Sequence, residues 1–389
     1  MRAPFQRERL LQVGIDPWGA AGRDPFGALR ALPPVTKTEL RAAGEHALAG
    51  GRLDPSWHSS RSSGSTGEPF SMHYDPRCWA LLKYVVKLRA RLACGVLPWD
   101  RVAVLDAVPA KPPARLARIR TVSVLQPAES VANELAAFRP QAIYALPSAL
   151  LEAAGALRAR GTRLSPRVVF TSGELLGSAL RQALVEKFGC RVHDVYGTSE
   201  TKEIAWECRR GSAHVNADVL HVEVLDDAGR PSEPGEEGDI VVTLLVNRAM
   251  PLLRYRTGDR GRLAPGTCAC GLALPLLGVV TGRETDTLTL PGDRWISPYV
   301  LTCALEAVPG MQRYQITQLA PDRLRVTAVV EPSHRAEAEA RVRAAVLEAT
   351  QTRLEVDVLL VERFEREPGV KFRVVQPLPP QGAAPSLVS

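Results

Sequence analysis

Three features predict an α/β fold with a large N-terminal domain of mixed and parallel sheets joined by crossover helices, plus a β-rich subdomain and a small α+β C-terminal domain. The strand-like runs QAIYAL, RVVFTSG and CRVHDVYG alternate with the helical stretches ALLEAAGALRARG and LLGSALRQALVEKFG, the pattern of parallel strands with crossovers. From residue 219 the texture shortens to LHVEVLDDAGRP and GDIVVTLLV with a hairpin-type DDAGR turn. After Gly282 and Arg283 the chain restarts as TLTLPGDRWI, RLRVTAVVEP, the helical RAEAEARVRAAVLEAT and VDVLLVERF. The expected boundaries are 1–283 for the large domain, with 219–283 as its β-rich part, 284–378 for the small domain, and 379–389 for a frayed Pro-rich tail.

The elements follow in order. Residues 1–56 read as an irregular, partly helical lead-in with a structural role, in which LPPVTKTELRAAGEHAL is a turn, a Thr cap and a short helix. From Trp79 to Leu97 apolar residues recur at helical spacing, and RVAVLDAVPA then reads as a buried strand. The strands at QAIYAL, RVVFTSG and CRVHDVYG run into the loops LPSA, TSGELL and YGTSE. Ligands of open α/β sheets lie at strand carboxyl ends, so these loops are expected to converge on one site.

Composition narrows the function. With 389 residues, 45% hydrophobic and 23% charged, the chain can bury a large core and is no disordered tail. The net charge of +7 is scattered, without a basic stripe or reading motif, which argues against nucleic acid and leaves a diffuse field suited to anionic small molecules. The opening residues lack a signal-peptide core and no run of 18 apolar residues occurs, so no membrane partner and a cytoplasmic location are expected. Seven cysteines in such a chain point to thiols or metal ligands before disulfides.

Four strings could hold chemistry. In SSGSTGEP, Ser62, Ser63, Gly64, Ser65, Thr66 and Gly67 offer close backbone approach and hydroxyl and amide donors for phosphate oxygens, although the Lys-Ser/Thr ending of a Walker loop is missing. The YGTSE string supplies a carboxylate, Glu200, that could hold Mg²⁺ against a triphosphate, and Tyr196 could stack on a base; a helix-capping turn is the plain alternative. In LLRYRTGDRG, Asp259 could accept from two ribose hydroxyls, or simply close a hairpin. In PGVKFRV, Lys371 is one of only seven lysines among 49 basic residues and the last in the chain; a compact ammonium there suits a developing phosphoryl charge.

In this order and spacing the four strings resemble the adenylate-forming superfamily of acyl-CoA synthetases, adenylation domains and luciferases. VTKTELR, TSGELL, AHVNADVLHVEV and AMPLLRYRTGD look like its phenylacetate-CoA ligase branch, over roughly residues 30–377. The resemblance implies that residues 62–67 form the phosphate loop, and that Ser172, Gly173 and Glu174 with Tyr196, Gly197 and Thr198 line the adenine pocket. It further implies that Glu200 binds Mg²⁺, Asp259 holds the ribose, and Arg283 lies at the domain junction. Lys371 would be the adenylation lysine, so that Lys371, Glu200 and Thr66 act on the reaction itself. The implied chemistry is activation of a small acid, aromatic by analogy, with ATP to an acyl-adenylate, followed by thioester formation with CoA and release of AMP and pyrophosphate. The small domain would be mobile and turn between the two steps. The expected acyl pocket involves Tyr144 to Ser148, the TSG strand end, Trp79 and His193.

The chain departs from the family at the hinge, where GRETDTL puts Thr285 in place of an Asp, and at PGDRWIS, which keeps Gly292 but little else. Since this segment meets the thiol, carrier-protein phosphopantetheine, an amine or another nitrogen nucleophile stands as the alternative acceptor, and a silent nucleotide-binding scaffold as the alternative class. Separately, Cys208, His214, Cys268 and Cys270 would complete a tetrahedral structural zinc site, with small buried thiols that need no metal as the alternative, while Cys78, Cys94, Cys190 and Cys303 read as core thiols. Oligomeric state is open, a homodimer included.

Overall fold

The computed structural model describes residues 3–16, 24–62, 70–107, 118–174, 176–278, 288–292, 294–296, 298–351, 353–364, 374–376 and 378. Its centre is a nine-stranded sheet in the spatial order Leu263–Ala264, Leu276–Leu277, Ala213–Val215, Lys202–Glu207, Arg191–Thr198, Val168–Thr171, Ala142–Ala145, Val102–Asp106, Ile119–Ser123. From Arg191–Thr198 to Ile119–Ser123 every pairing is parallel, and from Arg191–Thr198 toward the other edge every pairing is antiparallel.

Successive side chains of a strand point to opposite faces, which is why the parallel strands can be apolar throughout. Ile143 and Val169 pack against the crossover helices Ala128–Phe138, Pro147–Ala159 and Ser178–Phe188 through Leu135, Leu150, Leu157 and Leu184. Their neighbours Tyr144 and Phe170 turn the other way and join Val195, Trp206 and Ala90. That second face is covered by a helical run from Pro76 to Ala93, capped by Asp75, whose carboxylate accepts from the Arg77 and Cys78 amides. The run is not uniform: its middle, Leu81–Val86, is a π-helical turn between the α-helices Pro76–Ala80 and Lys87–Ala93. Periodicity alone predicts one helix here, because helical spacing of apolar residues does not reveal which hydrogen-bond closure a given turn adopts.

A three-stranded antiparallel sheet, Leu220–Leu225, Gly238–Leu244 and Tyr255–Gly261, shares a core with the hairpin His58–Ser62 and Phe70–Tyr74. Phe70, Met72 and Tyr74 alternate inward and fix the second strand of this pair in the core. Buried Arg254 and Glu223 form an ion pair at 3.0 Å. The strands Leu263–Ala264 and Leu276–Leu277 return to the large sheet, so the β-rich stretch after 219 is divided between two sheets.

The last part of the chain forms its own four-stranded sheet, in the order Glu355–Leu360, Arg323–Val330, Met311–Ala320, Val375–Gln376, with the helices Pro298–Glu306 and Arg335–Thr350. Leu146 and the hairpin Leu288–Leu290 and Arg294–Ile296 enter its apolar cluster. No helix among the described residues is long and apolar enough to cross a membrane.

Candidate functional site

Two of the four strings meet directly. Tyr196, in the strand Arg191–Thr198, donates its phenolic hydrogen to Asp259 Oδ2 at 2.9 Å across 63 residues of sequence. Asp259 lies within the strand Tyr255–Gly261 and its amide donates to Thr257 Oγ1, so it is strand-held rather than the tip of a hairpin turn.

The YGTSE string closes a strand-to-strand turn, and no helix follows it: Arg191–Thr198 pairs antiparallel with Lys202–Glu207, and Thr198 Oγ1 accepts from the Thr201 amide. A helix-capping turn was the plain alternative; instead the chain reverses, with Lys202 in a left-handed conformation (φ 61°). At Gly197 the register shifts, and a β-carbon there would collide with the Lys202 carbonyl, so only glycine lets the two strands close.

Glu200 at the tip is buried, 3% exposed. Its carboxylate meets Lys37 Nζ at 2.7 Å, and Tyr74 Oη donates to the Ser199 and Glu200 carbonyls at 2.7 and 2.9 Å. Lys37 opens the helix Lys37–Ala43, whose Thr36 and Glu39 make a capping box. The lead-in therefore brings a charge against the carboxylate of the YGTSE string. Nothing local in VTKTELR signals a partner 163 residues away.

A second residue missed from sequence is Lys202. Its ammonium donates to Ser60 Oγ at 2.6 Å and lies over the rings of Tyr74 (5.2 Å) and Trp79 (5.6 Å). Burial pushes its pKa down to about 8, against the pull of Glu200. Lys83 lies 4.8 Å over the same indole, whose ring also stacks with His58 at 5.0 Å. Lys87 pairs with Glu203 at 3.4 Å and sits 5.9 Å over Tyr144. Burial raises the Glu203 carboxyl pKa, with Lys87 opposing.

The LPSA and TSGELL loops also meet. Glu174 accepts from the Ser148 amide and hydroxyl at 2.9 and 2.7 Å, capping the helix Pro147–Ala159, and the Ser172 amide donates to the Ala145 carbonyl. Gly173 has φ 85° and presses toward Leu146. His193, expected near Trp79, is instead buried in the sheet, tilted on Phe170 at 5.7 Å, and lines a surface cleft with Arg181 and Arg209. Gly292 turns the hairpin Leu288–Leu290 to Arg294–Ile296 with φ 75°. Ser62 ends its strand, whereas Ser63, Gly64, Ser65, Thr66, Gly67, Arg283, Thr285 and Lys371 lie outside the described residues.

At the far end of the same strands the ligand atoms of Cys208, His214, Cys268 and Cys270 all lie within 4.8 Å of one another. Cys208 Sγ is 3.7 Å from Cys268 Sγ, and Cys270 Sγ is 3.2 Å from His214 Nε2. A hydrogen bond from Ser212 and the Cys270 amide lower the Cys268 thiol to about 6. Three sulfurs and one imidazole nitrogen at this spacing fit a tetrahedral zinc ion. The remaining ring nitrogen, His214 Nδ1, is buried without a partner among the described residues.

Residues 116–243 match the family model described as AMP-binding enzyme. The phenylacetate-coenzyme A ligase of Thermus thermophilus is 30% identical over 347 residues, covering 81% of this chain and 74% of its own. That of Escherichia coli is 27% identical over 312 residues, covering 74% and 68%. A solved 2-hydroxyisobutyryl-CoA ligase in complex with 2-HIB-AMP and CoA shares the fold, with a TM-score of 0.67 at 21% identity over 97% of this chain and 86% of that one. With the Tyr196–Asp259 contact joining its motifs, this chain belongs to the AMP-binding, adenylate-forming enzyme family, alongside the phenylacetate-coenzyme A ligases.

Proposed function

We propose that this chain is an AMP-forming acid–CoA ligase of phenylacetate-CoA ligase type. A carboxylate oxygen of a small acid attacks the α-phosphorus of ATP, the bond to the β-phosphate oxygen breaks, and pyrophosphate leaves with that electron pair. The CoA thiol then attacks the acyl carbon, its proton is lost, and AMP departs from the mixed anhydride. The observation that carries this reading is the Tyr196–Asp259 hydrogen bond, which brings the adenine-side string and the ribose-side string to one place.

Within it, Asp259 holds the ribose diol and Tyr196, aligned by that hydrogen bond, flanks the base. Residues 62–67 supply amide and hydroxyl donors to the phosphates, with Thr66 among them. Lys371 steadies the charge that develops as pyrophosphate leaves, and Arg283 lies at the junction with the small domain, 284–378. Glu200 is a hard oxygen ligand suited to Mg²⁺, which is usually held by one or two carboxylates plus substrate phosphates. Bound there, Mg²⁺ would offset charge between the two anions that must meet; Lys37, at 2.7 Å, already neutralises Glu200 and fixes its position. Cys208, His214, Cys268 and Cys270 would hold a structural zinc ion, clipping the loop after Ala264 onto the strand Ala213–Val215.

The experiment is acid-dependent exchange of labelled pyrophosphate into ATP, followed by addition of CoA, a holo carrier protein or amines to the adenylate. CoA thioester formation is expected. Thr285 in place of the hinge Asp, and the altered PGDRWIS loop, favour a second reading in which a carrier phosphopantetheine or a nitrogen nucleophile takes the acyl group. Consumption of the adenylate by one of those and not by CoA would establish it.

A further inference from the structure

Lysine is scarce in this chain, seven against 42 arginines. Yet Lys83, Lys87 and Lys202 gather on one aromatic wall formed by Trp79, Tyr74 and Tyr144. Lys87 has Glu203 as its partner. Lys83 and Lys202 make no ion pair with any described residue, although both ammoniums lie over the same indole.

Holding Lys202 this way has two costs. Its backbone takes a positive φ that a side chain with a β-carbon disfavours, and its ammonium gives up part of its water for a hydroxyl and two ring faces. Strain and partial desolvation concentrated on one residue point to use by a ligand.

The location says which ligand. Lys202 Nζ binds Ser60, in the strand that leads straight into residues 62–67, and Thr198 faces Lys202 across the turn. On the adenylation reading, an acid bound beside the strand His58–Ser62 would meet the ring of Trp79 and the ammoniums of Lys83 and Lys202. The reacting carboxylate needs no permanent cation pair of its own there, since a cation bound tightly to it would blunt the nucleophile.

We propose that this wall selects an acid that carries a second anionic group on an apolar body, the ring of Trp79 receiving the body and Lys202 with Lys83 receiving the second charge. This rests on the adenylation reading above. The test compares pyrophosphate exchange with matched acids, benzoate and phenylacetate against terephthalate and 4-carboxyphenylacetate, in the wild type and in Lys202→Met.

The expected result is a kcat/KM about tenfold or more higher for the dianionic member of each pair, and collapse of that ratio toward one in Lys202→Met. Thermal-shift titration with the same four acids gives the preference without turnover, so it remains readable if the variant is slow. A wild-type preference for the monoanions overturns the inference, as does a rise in KM for ATP matching that for the acid, which would assign Lys202 to the triphosphate. Absence of exchange with all four acids and with a broad panel of others would instead bring down adenylation itself.

Discussion

The strand Lys202–Glu207 begins beside Ser60 and Trp79, the crevice end of the candidate site, and ends one residue short of Cys208, so two unlike regions sit roughly 20 Å apart on one element. At the crevice end a half-buried ammonium is offset by a hydroxyl and ring faces, and the backbone is in a left-handed conformation. At the thiol end three sulfurs and an imidazole close on each other within 4.8 Å. The difference is one of chemistry on a single strand: four soft and imidazole donors converge at one end, while an ammonium is held by a hydroxyl and ring faces at the other.

If that division is right, variants at the two ends should fail in different ways. The largest effect belongs to Lys371→Ala, which should slow pyrophosphate exchange about 10²- to 10³-fold while ATP still binds; near-normal exchange would take the tail lysine out of the chemistry. Next, Cys268→Ser should lower the melting temperature by about 5–10 °C and empty the site of zinc by elemental analysis, whereas the wild type retains about one equivalent. A zinc-free wild type indifferent to chelator would turn the cluster into a group of packed thiols.

At the crevice, Asp259→Asn should raise KM for ATP about tenfold with little change in melting temperature, since it weakens charge-assisted hydrogen bonds to the ribose. Loss of stability without a change in KM would make Asp259 a strut for Tyr196 alone. The smallest effect lies between the two regions, at Asp194, whose carboxyl burial raises to about 6 while Thr171 donates to it at 2.9 Å. A raised carboxyl pKa means that the native state binds a proton the unfolded chain has released, so stability falls as pH rises from about 4 to about 6. Asp194→Asn should therefore gain about 1 kcal/mol relative to wild type in urea melts on going from pH 5 to pH 7.5. An equal difference at both pH values would show that Asp194 is not the titrating group.

Much of the frame could be read from residue order. The helix Arg335–Thr350, the Thr36 cap and the alternation that sends Ile143 and Tyr144 to opposite faces are local patterns, fixed within a few residues. The convergence of Cys208, His214, Cys268 and Cys270 was legible because sulfur and imidazole are chemically distinctive wherever they stand. Lys37 on Glu200 was not, and neither was Lys202 on Trp79: their partners are distant in sequence, and an isolated lysine looks like any solvated one. The turn at Lys202 stayed open between a helix start and a strand reversal for a related reason, because Thr or Ser before an acid serves both purposes until the following strand finds a neighbour.

Gly197 shows how little material governs the spacing of the crevice. The gap between Thr198 and Lys202 is defined by an atom the chain does not have, and one added methyl would act as a wedge, prying Lys202 off Ser60 and tilting Tyr196 from Asp259 in the same motion. Any side chain at position 197 would therefore be felt first at the Lys202 backbone, whose carbonyl oxygen a β-carbon there would overlap.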